Sequence, residues 1–290
     1  MKVLITGAGG QLGQDLLRAL APRHECIGWT RQELDVTDRR LVQERTARLR
    51  PDAIVHAAAY TQVDLAEAHP DDAFMVNAFG ACHMAQAAAA IDAKLVYVST
   101  DYVFDGRKGE PYTEHDPTNP LSAYGESKLL GEKFVRAFCS KHFIVRTSWL
   151  YGKHGSNFVT KILAQAERRK ELTVVDDEVG SPTYTYDLAE CIGRLLPTER
   201  YGVYHAANRG WCSRAQFAEA IVRLGGRDDV RVVPIRSDQL ALPAARPAYS
   251  ALDDAALRHA GLARMREWQP ALKAFVQDDL GYSRRKERDS

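Results

Sequence analysis

The chain of 290 residues is long enough to bury a core and, as a prior, to form two domains. Its 39 Lys and Arg residues balance 38 Asp and Glu residues, and the net charge of +1 gives no electrostatic case for nucleic acid or an anionic membrane surface as a partner. The five cysteines stand singly and no apolar run is long enough for a signal segment or a membrane span, so we expect a soluble, cytoplasmic protein with reduced thiols.

The first predicted strand, Val3–Thr6, leads directly into a glycine-rich turn. Gly7, Gly10 and Gly13 mark the turn, and a predicted helix follows at 15–20. Glycines permit a tight turn and a close approach of the backbone to a pyrophosphate, which the N–H groups of the helix start then bind. An ordinary strand-to-helix turn would look similar, but the place of this turn after the first strand of an alternating chain favours dinucleotide binding.

The second predicted strand, Cys26–Trp29, ends without the acidic residue that an NAD-selective site often places on the ribose. Arg31 follows the strand and would suit the 2′-phosphate of NADP(H), although a solvated surface arginine explains it nearly as well. The sequence therefore favours NADPH as cofactor and leaves NADH possible.

The next apolar segment, Leu34–Asp38, is interpreted as a short strand end. Thr37 or Asp38 would cap the following helix, which runs to Leu49. Asp35 is placed to accept a hydrogen bond from an adenine amine. We therefore expect this segment to border the adenosine half of a cofactor site.

A further predicted strand, Ala53–Ala59, is rich in small residues that would let a cofactor lie across the sheet edge. His56 within it is more often a packed histidine than a ligand. The polar loop at 61–64 is a place where a substrate could enter. An Ala-rich helix over 67–91 carries Asn77, which solvent exposure explains as easily as function does.

Tyr124 and Lys128 form the central candidate of the sequence. A buried strand at Leu95–Thr100 precedes them, and a helix starting near residue 121 would place them one turn apart on one face. A phenol has an unperturbed pKa of about 10, and a nearby ammonium lowers it. A tyrosine tuned in this way can pass a proton to a carbonyl oxygen.

The Tyr-x-x-x-Lys spacing alone does not identify a catalytic pair. A second copy occurs at Tyr282 and Lys286, in a charged tail with no strand ahead of it. A catalytic role for the first copy is favoured by the buried strand and the glycine turn that accompany it.

After the Tyr124 helix, Phe143–Trp149 is predicted to be another strand. Strands that alternate with helices indicate an α/β fold, a Rossmann-like doubly wound parallel sheet, with its ligand crevice at the carboxyl ends of the strands. We assign residues 1–150 to this dinucleotide-binding domain. Shorter mixed elements over 151–290 predict a smaller α/β domain, mainly for substrate, that ends in a charged tail at 283–290 expected to be disordered.

Several blocks of the sequence resemble the extended short-chain dehydrogenase/reductase superfamily and, within it, the dTDP-4-dehydrorhamnose reductase family. They occur in order, with ordinary intervening lengths, and cover nearly the whole chain. The blocks are Thr6–Gly13, Ala57–Asp64, Ser99–Gly106, Tyr124–Lys128, Arg146–Tyr151 and Gly180–Thr183.

The resemblance implies a role for each matching residue. Tyr124 would be the general acid at a C4 ketone, Lys128 would tune it and hold the nicotinamide ribose, and Thr100 would hydrogen-bond the carbonyl oxygen. With the glycine turn and Arg31, the cofactor set is Gly7, Gly10, Gln11, Leu12, Gly13, Arg31, Asp35, Val36, Ala57, Ala58, Ala59, Thr61, Tyr124 and Lys128. The set near the sugar nucleotide is Val63, Thr100, Asp101, Tyr124 and Trp149.

The reaction implied by the resemblance is reduction of dTDP-4-dehydro-L-rhamnose to dTDP-L-rhamnose by NADPH or NADH. Tyr102 argues against a 4,6-dehydratase, because such enzymes typically carry a glutamate there for acid–base work. Another nucleotide-sugar 4-keto reductase or epimerase and a non-catalytic nucleotide-binding regulatory subunit stay open. The family often has Asn where His56 and Tyr249 stand. No metal-ligand spacing appears, and a homodimer is possible.

Overall fold

A six-stranded parallel sheet forms the centre of the molecule. The computed structural model describes residues 1–282, so the predicted disordered tail at 283–290 lies outside the described residues. Neighbouring strands follow the order β10-β5-β4-β3-β1-β2 and pair in parallel. The strands are β1 Lys2–Thr6, β2 Glu25–Trp29, β3 Ala53–His56, β4 Lys94–Thr100, β5 His142–Thr147 and β10 Gly202–His205.

Helices cover both faces of this sheet, because both faces of its strands are apolar. Val3 and Ile5 pack into one core and Leu4 into the other, as the two-residue period of a strand requires. On the first face lie α1 Gln11–Leu20 and α8 Thr185–Leu195. On the second face lie α2 Arg39–Leu49, α5 Gly80–Ala90 and α6 Ala123–Phe138. The predicted doubly wound α/β fold is confirmed.

The strand order indicates where a ligand-binding crevice lies. β1 has β2 on one side and β3 on the other, so the chain reverses its direction of travel across the sheet at this point. Parallel sheets bind ligands beyond the carboxyl ends of the strands where such a reversal occurs. The glycine turn that follows β1 and the alanines that follow β3 therefore meet at the edge where a ligand is expected.

A second region of shorter elements packs around its own aromatic core, which includes Tyr151, Phe217, Trp268 and Phe275. Its strands form three two-stranded pairs, β7 with β12, β6 with β9 and β8 with β11. The elements are β6 Leu150–Tyr151, α7 Phe158–Ala166, β7 Glu171–Val175, β8 Val179–Gly180, β9 Thr183–Tyr184, β11 Cys212–Ser213, α9 Arg214–Leu224, β12 Arg231–Ile235 and α11 Trp268–Ala274. The remaining helix, α10 Ala255–His259, contributes Leu257 to the core beneath the large sheet.

The chain crosses between the two regions more than once. β10 pairs with β5 at the edge of the large sheet, and α8 packs against α1 in the core beneath that sheet. Both elements come from the second half of the sequence. The division at residue 150 stays a prediction, and the sheet draws one strand from beyond it.

Three local predictions were wrong. Leu34–Asp38 forms turns and no strand, although Asp38 does cap α2 by accepting a hydrogen bond from Leu41 N. The helix predicted over 67–91 is broken into α3 Val63–Ala68, α4 Pro70–Phe74, a π-helical turn at Met75–Phe79 and α5. Pro70 disfavours helical backbone in the residue before it, and His69 accordingly leaves the helix at φ −133°. β5 ends at Thr147, and Trp149 lies beyond it.

Among the described residues, no helix combines the length and the apolar character needed to cross a bilayer.

Candidate functional site

A continuous crevice runs along the carboxyl edge of the sheet. It consists of an inner chamber of about 580 Å³ beyond β4 and β5 and an outer chamber of about 850 Å³ beyond β2 and β3. The two chambers share the walls formed by Gly7, Gly10, Ala57, Ala59 and Thr61. A ligand with two linked halves can therefore occupy both chambers at once.

The structure brings the predicted site residues together along this crevice. The inner chamber is lined by Gly7, Gly10, Gln11, Leu12, Gly13, Ala57, Ala59, Thr61, Val63, Thr100, Asp101, Tyr124, Lys128 and Trp149. The outer chamber is lined by Gly7, Gly10, Arg31, Asp35, Val36, Ala57, Ala58, Ala59 and Thr61.

The glycine turn is shaped to receive an anion. Gly7 has φ +68°, and a Cβ at this position would lie 2.7 Å from the backbone N of Ala58. α1 begins after Gly10 with no side chain capping its N-terminus and no acidic residue in its first turn. The N–H groups and positive dipole end of the helix thus face the crevice, and they fit the pyrophosphate of a dinucleotide.

The outer chamber carries a cation at its rim. The Arg31 side chain is 85% exposed and lies 3.7 Å from a carboxylate oxygen of Asp35. The other Asp35 oxygen accepts hydrogen bonds from the backbone and hydroxyl of Thr37. Arg31 is therefore free to turn toward a phosphate, whereas half of the Asp35 carboxylate is already used within the loop.

Thr100, Tyr124 and Lys128 meet in the inner chamber because a strand and a helix converge there. Thr100 ends β4, and its hydroxyl donates to Asp101 at 3.1 Å. Ser122 caps α6 by accepting from Gly125 N at 3.2 Å, which sets the start of the helix one residue before Tyr124. Four residues further along the same face, Lys128 is buried.

The charge state of the pair differs from the sequence prediction. Burial raises the pKa of the Tyr124 hydroxyl, and a hydrogen bond with Thr100 partly opposes this rise. Burial also lowers the pKa of Lys128 to about 7. The Lys128 ammonium donates to the carbonyl oxygen of Val98 at 2.6 Å and lies 4.2 Å from the centre of the Tyr97 ring. The predicted lowering of the Tyr124 pKa by Lys128 is not found, because the ammonium is directed at Tyr97 and β4.

Asp101 joins the two regions of the molecule beneath the chamber. Its carboxylate is buried and accepts hydrogen bonds from Thr100, from Ser148 at 2.9 Å and from Ser250 at 2.6 Å. Burial raises the pKa of this carboxyl. Because protein hydroxyls already occupy its oxygens, Asp101 supports the position of Thr100 as well as lining the chamber.

Trp149 forms one wall of the inner chamber in a strained backbone conformation. Its φ of +46° is unusual for a residue with a side chain. One face of the indole lies against Gly180, where a Cβ would come within 2.5 Å of Trp149 Cε2. The Arg214 guanidinium lies 3.5 Å from the ring centre, an arrangement that suits a cation–π contact. The ring is thus held by a glycine and an arginine.

Sequence reasoning missed Arg214 and the part played by Asn77. Arg214 lines the inner chamber from the first turn of α9, and only its place in the fold reveals this. Asn77 is buried in the π-helical turn, so solvent exposure does not explain it. It bonds both backbone groups of Tyr60 and the hydroxyl of Ser127, and thereby ties the wall after β3 to α6.

Known proteins resemble this chain over nearly its whole length. The family model described as the RmlD substrate binding domain matches residues 1–280. The dTDP-4-dehydrorhamnose reductase of Streptomyces griseus is 42% identical over 276 residues, which are 93% of this chain and 91% of the relative. The chain belongs to the dTDP-4-dehydrorhamnose reductase family.

Two further similar proteins, one of them a crystal structure, support this family membership. A crystal structure of the reductase from Bacillus anthracis in complex with NADP has a TM-score of 0.93 and 42% identity, with 96% of this chain and 99% of that chain covered. The spore coat polysaccharide biosynthesis protein SpsK of Bacillus subtilis is 42% identical over 278 residues, covering 96% of this chain and 97% of its own length.

His56, where the family often has Asn, is a buried core residue. Its Nδ1 shares a 2.7 Å hydrogen bond with the Thr6 hydroxyl, while its Nε2 has no partner among the described residues. Burial lowers the pKa of His56 to about 3, with the charge of Lys128 acting in the same direction. The ring is therefore neutral in the folded protein.

This histidine makes the protein sensitive to acid. Between pH 3 and 6.5 the unfolded state binds a proton that the folded state does not, so the free energy of unfolding falls as the pH falls through 6.5. At pH 5 the loss from His56 amounts to about 2 kcal/mol. We expect His56→Asn to reduce the fall in the free energy of unfolding between pH 7 and pH 5, which urea unfolding at the two pH values measures. The exposed His115→Asn serves as control, and an equal pH dependence in wild type and His56→Asn would contradict the prediction.

Proposed function

We propose that this chain reduces the C4 ketone of dTDP-4-dehydro-L-rhamnose to dTDP-L-rhamnose with NADPH, the last step of dTDP-rhamnose biosynthesis. The observation that carries the proposal is the convergence of Thr100, Tyr124 and Lys128 in a chamber that is continuous with an uncapped glycine-turn helix. Family membership supports the same reaction.

NADPH would supply the hydride when bound along the crevice. Tyr124 stays protonated, since burial raises its pKa, and its hydroxyl would deliver a proton to the oxygen that becomes an alkoxide at C4. The Thr100 hydroxyl, which donates to Asp101 in this structure, would be a second donor toward the same oxygen after turning away from Asp101. Lys128 and the glycine turn would hold the ribose and the pyrophosphate.

Charge suggests how the sugar nucleotide lies in the inner chamber. Lys128 and Arg214 are the two Lys or Arg side chains among the described residues that line it. Lys128 is buried deep beside Tyr97, so the substrate diphosphate would face Arg214 while the sugar ring reaches Thr100 and Tyr124. Trp149, which lies under the Arg214 guanidinium, would then contact the sugar.

The chemistry of Tyr102 is unsuited to the dehydratase alternative. Burial raises the pKa of its phenol to about 12, so the side chain stays neutral. Its ring meets the Tyr124 ring edge to face, with the ring centres 5.6 Å apart. A neutral phenol in this position does not supply the carboxylate that removal of water across C5 and C6 requires.

A coupled assay tests the function. dTDP-4-dehydro-L-rhamnose is generated in place, and oxidation of NADPH and of NADH is followed along with formation of dTDP-L-rhamnose. We expect cofactor oxidation with the complete substrate mixture and none when the keto sugar is omitted. Purified protein that binds NADPH but gives no turnover would contradict the proposal, and copurification with a stoichiometric enzyme would then favour a regulatory subunit.

Arg31 is expected to set the preference for NADPH. Arg31→Ala should lower the ratio of kcat/KM for NADPH to that for NADH by about fivefold, because an exposed guanidinium–phosphate contact is worth about 1 kcal/mol. The ratio is measured in the coupled assay with both cofactors. Arg40→Ala, an exposed arginine on α2, is the matched control. An unchanged ratio in Arg31→Ala would exclude a 2′-phosphate contact.

Two further parts of the proposal concern the protein in the cell. A cytoplasmic location is supported by the five cysteines, which are all free. A homodimer also stays a prediction, and sedimentation of the purified protein would decide it.

A further inference from the structure

A buried ion pair lies behind the catalytic residues, one helical turn beyond Lys128. The Arg146 guanidinium of β5 donates two hydrogen bonds to the Glu132 carboxylate of α6, from Nε at 2.9 Å and from Nη2 at 2.8 Å. The two side chains are 2% and 1% exposed. Apolar residues of similar volume are often at least as stabilising as such a buried pair, so stability alone does not account for it.

The pair connects the strand that carries Thr100 to the helix that carries Tyr124. The Ser99 hydroxyl donates to Glu132 Oε1 at 2.6 Å, the same oxygen that accepts from Arg146 Nε. Ser99 is paired in register with Arg146 and directly precedes Thr100. Glu132 therefore fixes the end of β4 against α6 at one carboxylate.

The far side of Arg146 faces a buried histidine. Its Nη1 lies 3.4 Å from His205 Nε2 on β10. Burial lowers the pKa of His205 to about 3, and its Nδ1 faces the carbonyl oxygens of Tyr112 and Asp253 at 3.0 and 3.1 Å. A neutral imidazole with its proton on Nδ1 satisfies these contacts, because Nε2 then accepts from the guanidinium. Arg146 consequently has a second partner, on β10, besides Glu132.

The Glu132 carboxylate also acts on Lys128. The groups that face Lys128 are the Tyr97 ring from β4, His56 from β3, and Tyr124 and Glu132 from its own helix. His56 and the two phenols are neutral at pH 7. Glu132 is thus the anion, among these groups of the described residues, that opposes the effect of burial on the ammonium.

We propose that Glu132, held by Arg146, is a positioning residue for ketone reduction, which sets Thr100 against Tyr124 and favours the ammonium form of Lys128. The proposal rests on the reductase function proposed above. It predicts that the pair is dispensable for folding but not for the rate.

The decisive variant replaces both charges, Glu132→Leu with Arg146→Met, so that no buried charge is left unpaired. We expect it to fold with an unchanged or higher Tm, and to bind NADP⁺ as wild type does at a pH low enough for Lys128 to be protonated in both proteins. Its kcat should fall by at least tenfold, since a misplaced donor is costly for a reaction that depends on geometry. The high-pH limb of its kcat profile should move to lower pH, because the ammonium has lost its anion.

Two single variants keep the test decisive if the double variant does not fold. Ser99→Ala removes one neutral hydrogen bond donor and no charge, and we expect about a fivefold lower kcat with an unchanged pH profile. Glu132→Asp keeps the charge and should retain the wild-type position of the high-pH limb. Glu44→Gln, which breaks the exposed pair with Arg40, is the control for loss of an ion pair without effect on rate.

The outcomes separate this proposal from the proposed function. Wild-type protein without turnover would contradict the reductase function. In that case the pH dependence of NADP⁺ binding would still show whether Lys128 loses its proton at a lower pH in the variants than in wild type. A folded double variant with the kcat and pH profile of active wild type would overturn the positioning role. A wild-type kcat in Ser99→Ala together with a shifted limb in Glu132→Asp would overturn it as well.

Discussion

We expect Tyr124→Phe to lower kcat for ketone reduction by roughly 10²- to 10⁴-fold, the usual contribution of a positioned general acid. The substitution removes the hydroxyl and keeps the ring, so the edge-to-face contact with Tyr102 is preserved. The affinity for NADPH should be unchanged, because the glycine turn and Lys128 are untouched. Steady-state assays with the keto sugar and direct titration of NADPH measure the two quantities separately.

The control for this prediction is Tyr201→Phe, a phenol at the far edge of the sheet that packs on Phe143. It should leave kcat and Tm as in wild type. A Tyr124→Phe variant with more than a tenth of the wild-type kcat would show that another group protonates the alkoxide. Thr100 would be the first alternative, since its hydroxyl lines the same chamber.

We expect Arg214→Gln to raise KM for the sugar nucleotide by roughly 10- to 100-fold, with a smaller effect on kcat. The estimate follows from about 1.5–3 kcal/mol for a hydrogen bond to a charged group. The KM of Arg214→Lys should lie between those of wild type and Arg214→Gln, since the lysine keeps the charge but not the planar guanidinium over Trp149. Binding of NADPH should not change in either variant.

The binding of two ligands distinguishes a role of the Arg214 charge from a role of its packing against Trp149. Calorimetry should show weaker binding of dTDP to Arg214→Gln and no change for thymidine, which has no phosphate. An equal loss for both ligands would mean that Arg214 acts by holding Trp149 and not by binding the diphosphate. Arg209→Gln, a partly exposed arginine paired with Glu267, is the control in the same region.

The sequence predicted features whose cause is local. The glycine turn, the helix start near residue 121 and the Tyr124–Lys128 pair each depend on residues within a turn or two of one another, so residue type and spacing suffice. The alternation of apolar strands with helices likewise predicted the sheet, since parallel strands must be buried on both faces. Pro70 carried a local signal for a helix break that the Ala-rich composition around it obscured.

The sequence by itself thus determined the fold class, the crevice and the three residues at its centre. The tertiary structure decided that β10 joins the large sheet, that Arg214 stacks on Trp149, and that Glu132 meets Arg146. It also decided that Lys128 faces Tyr97 while the pKa of Tyr124 rises. Contacts between distant segments and the loss of water around buried charges depend on the whole packing, and no local pattern of residues encodes them.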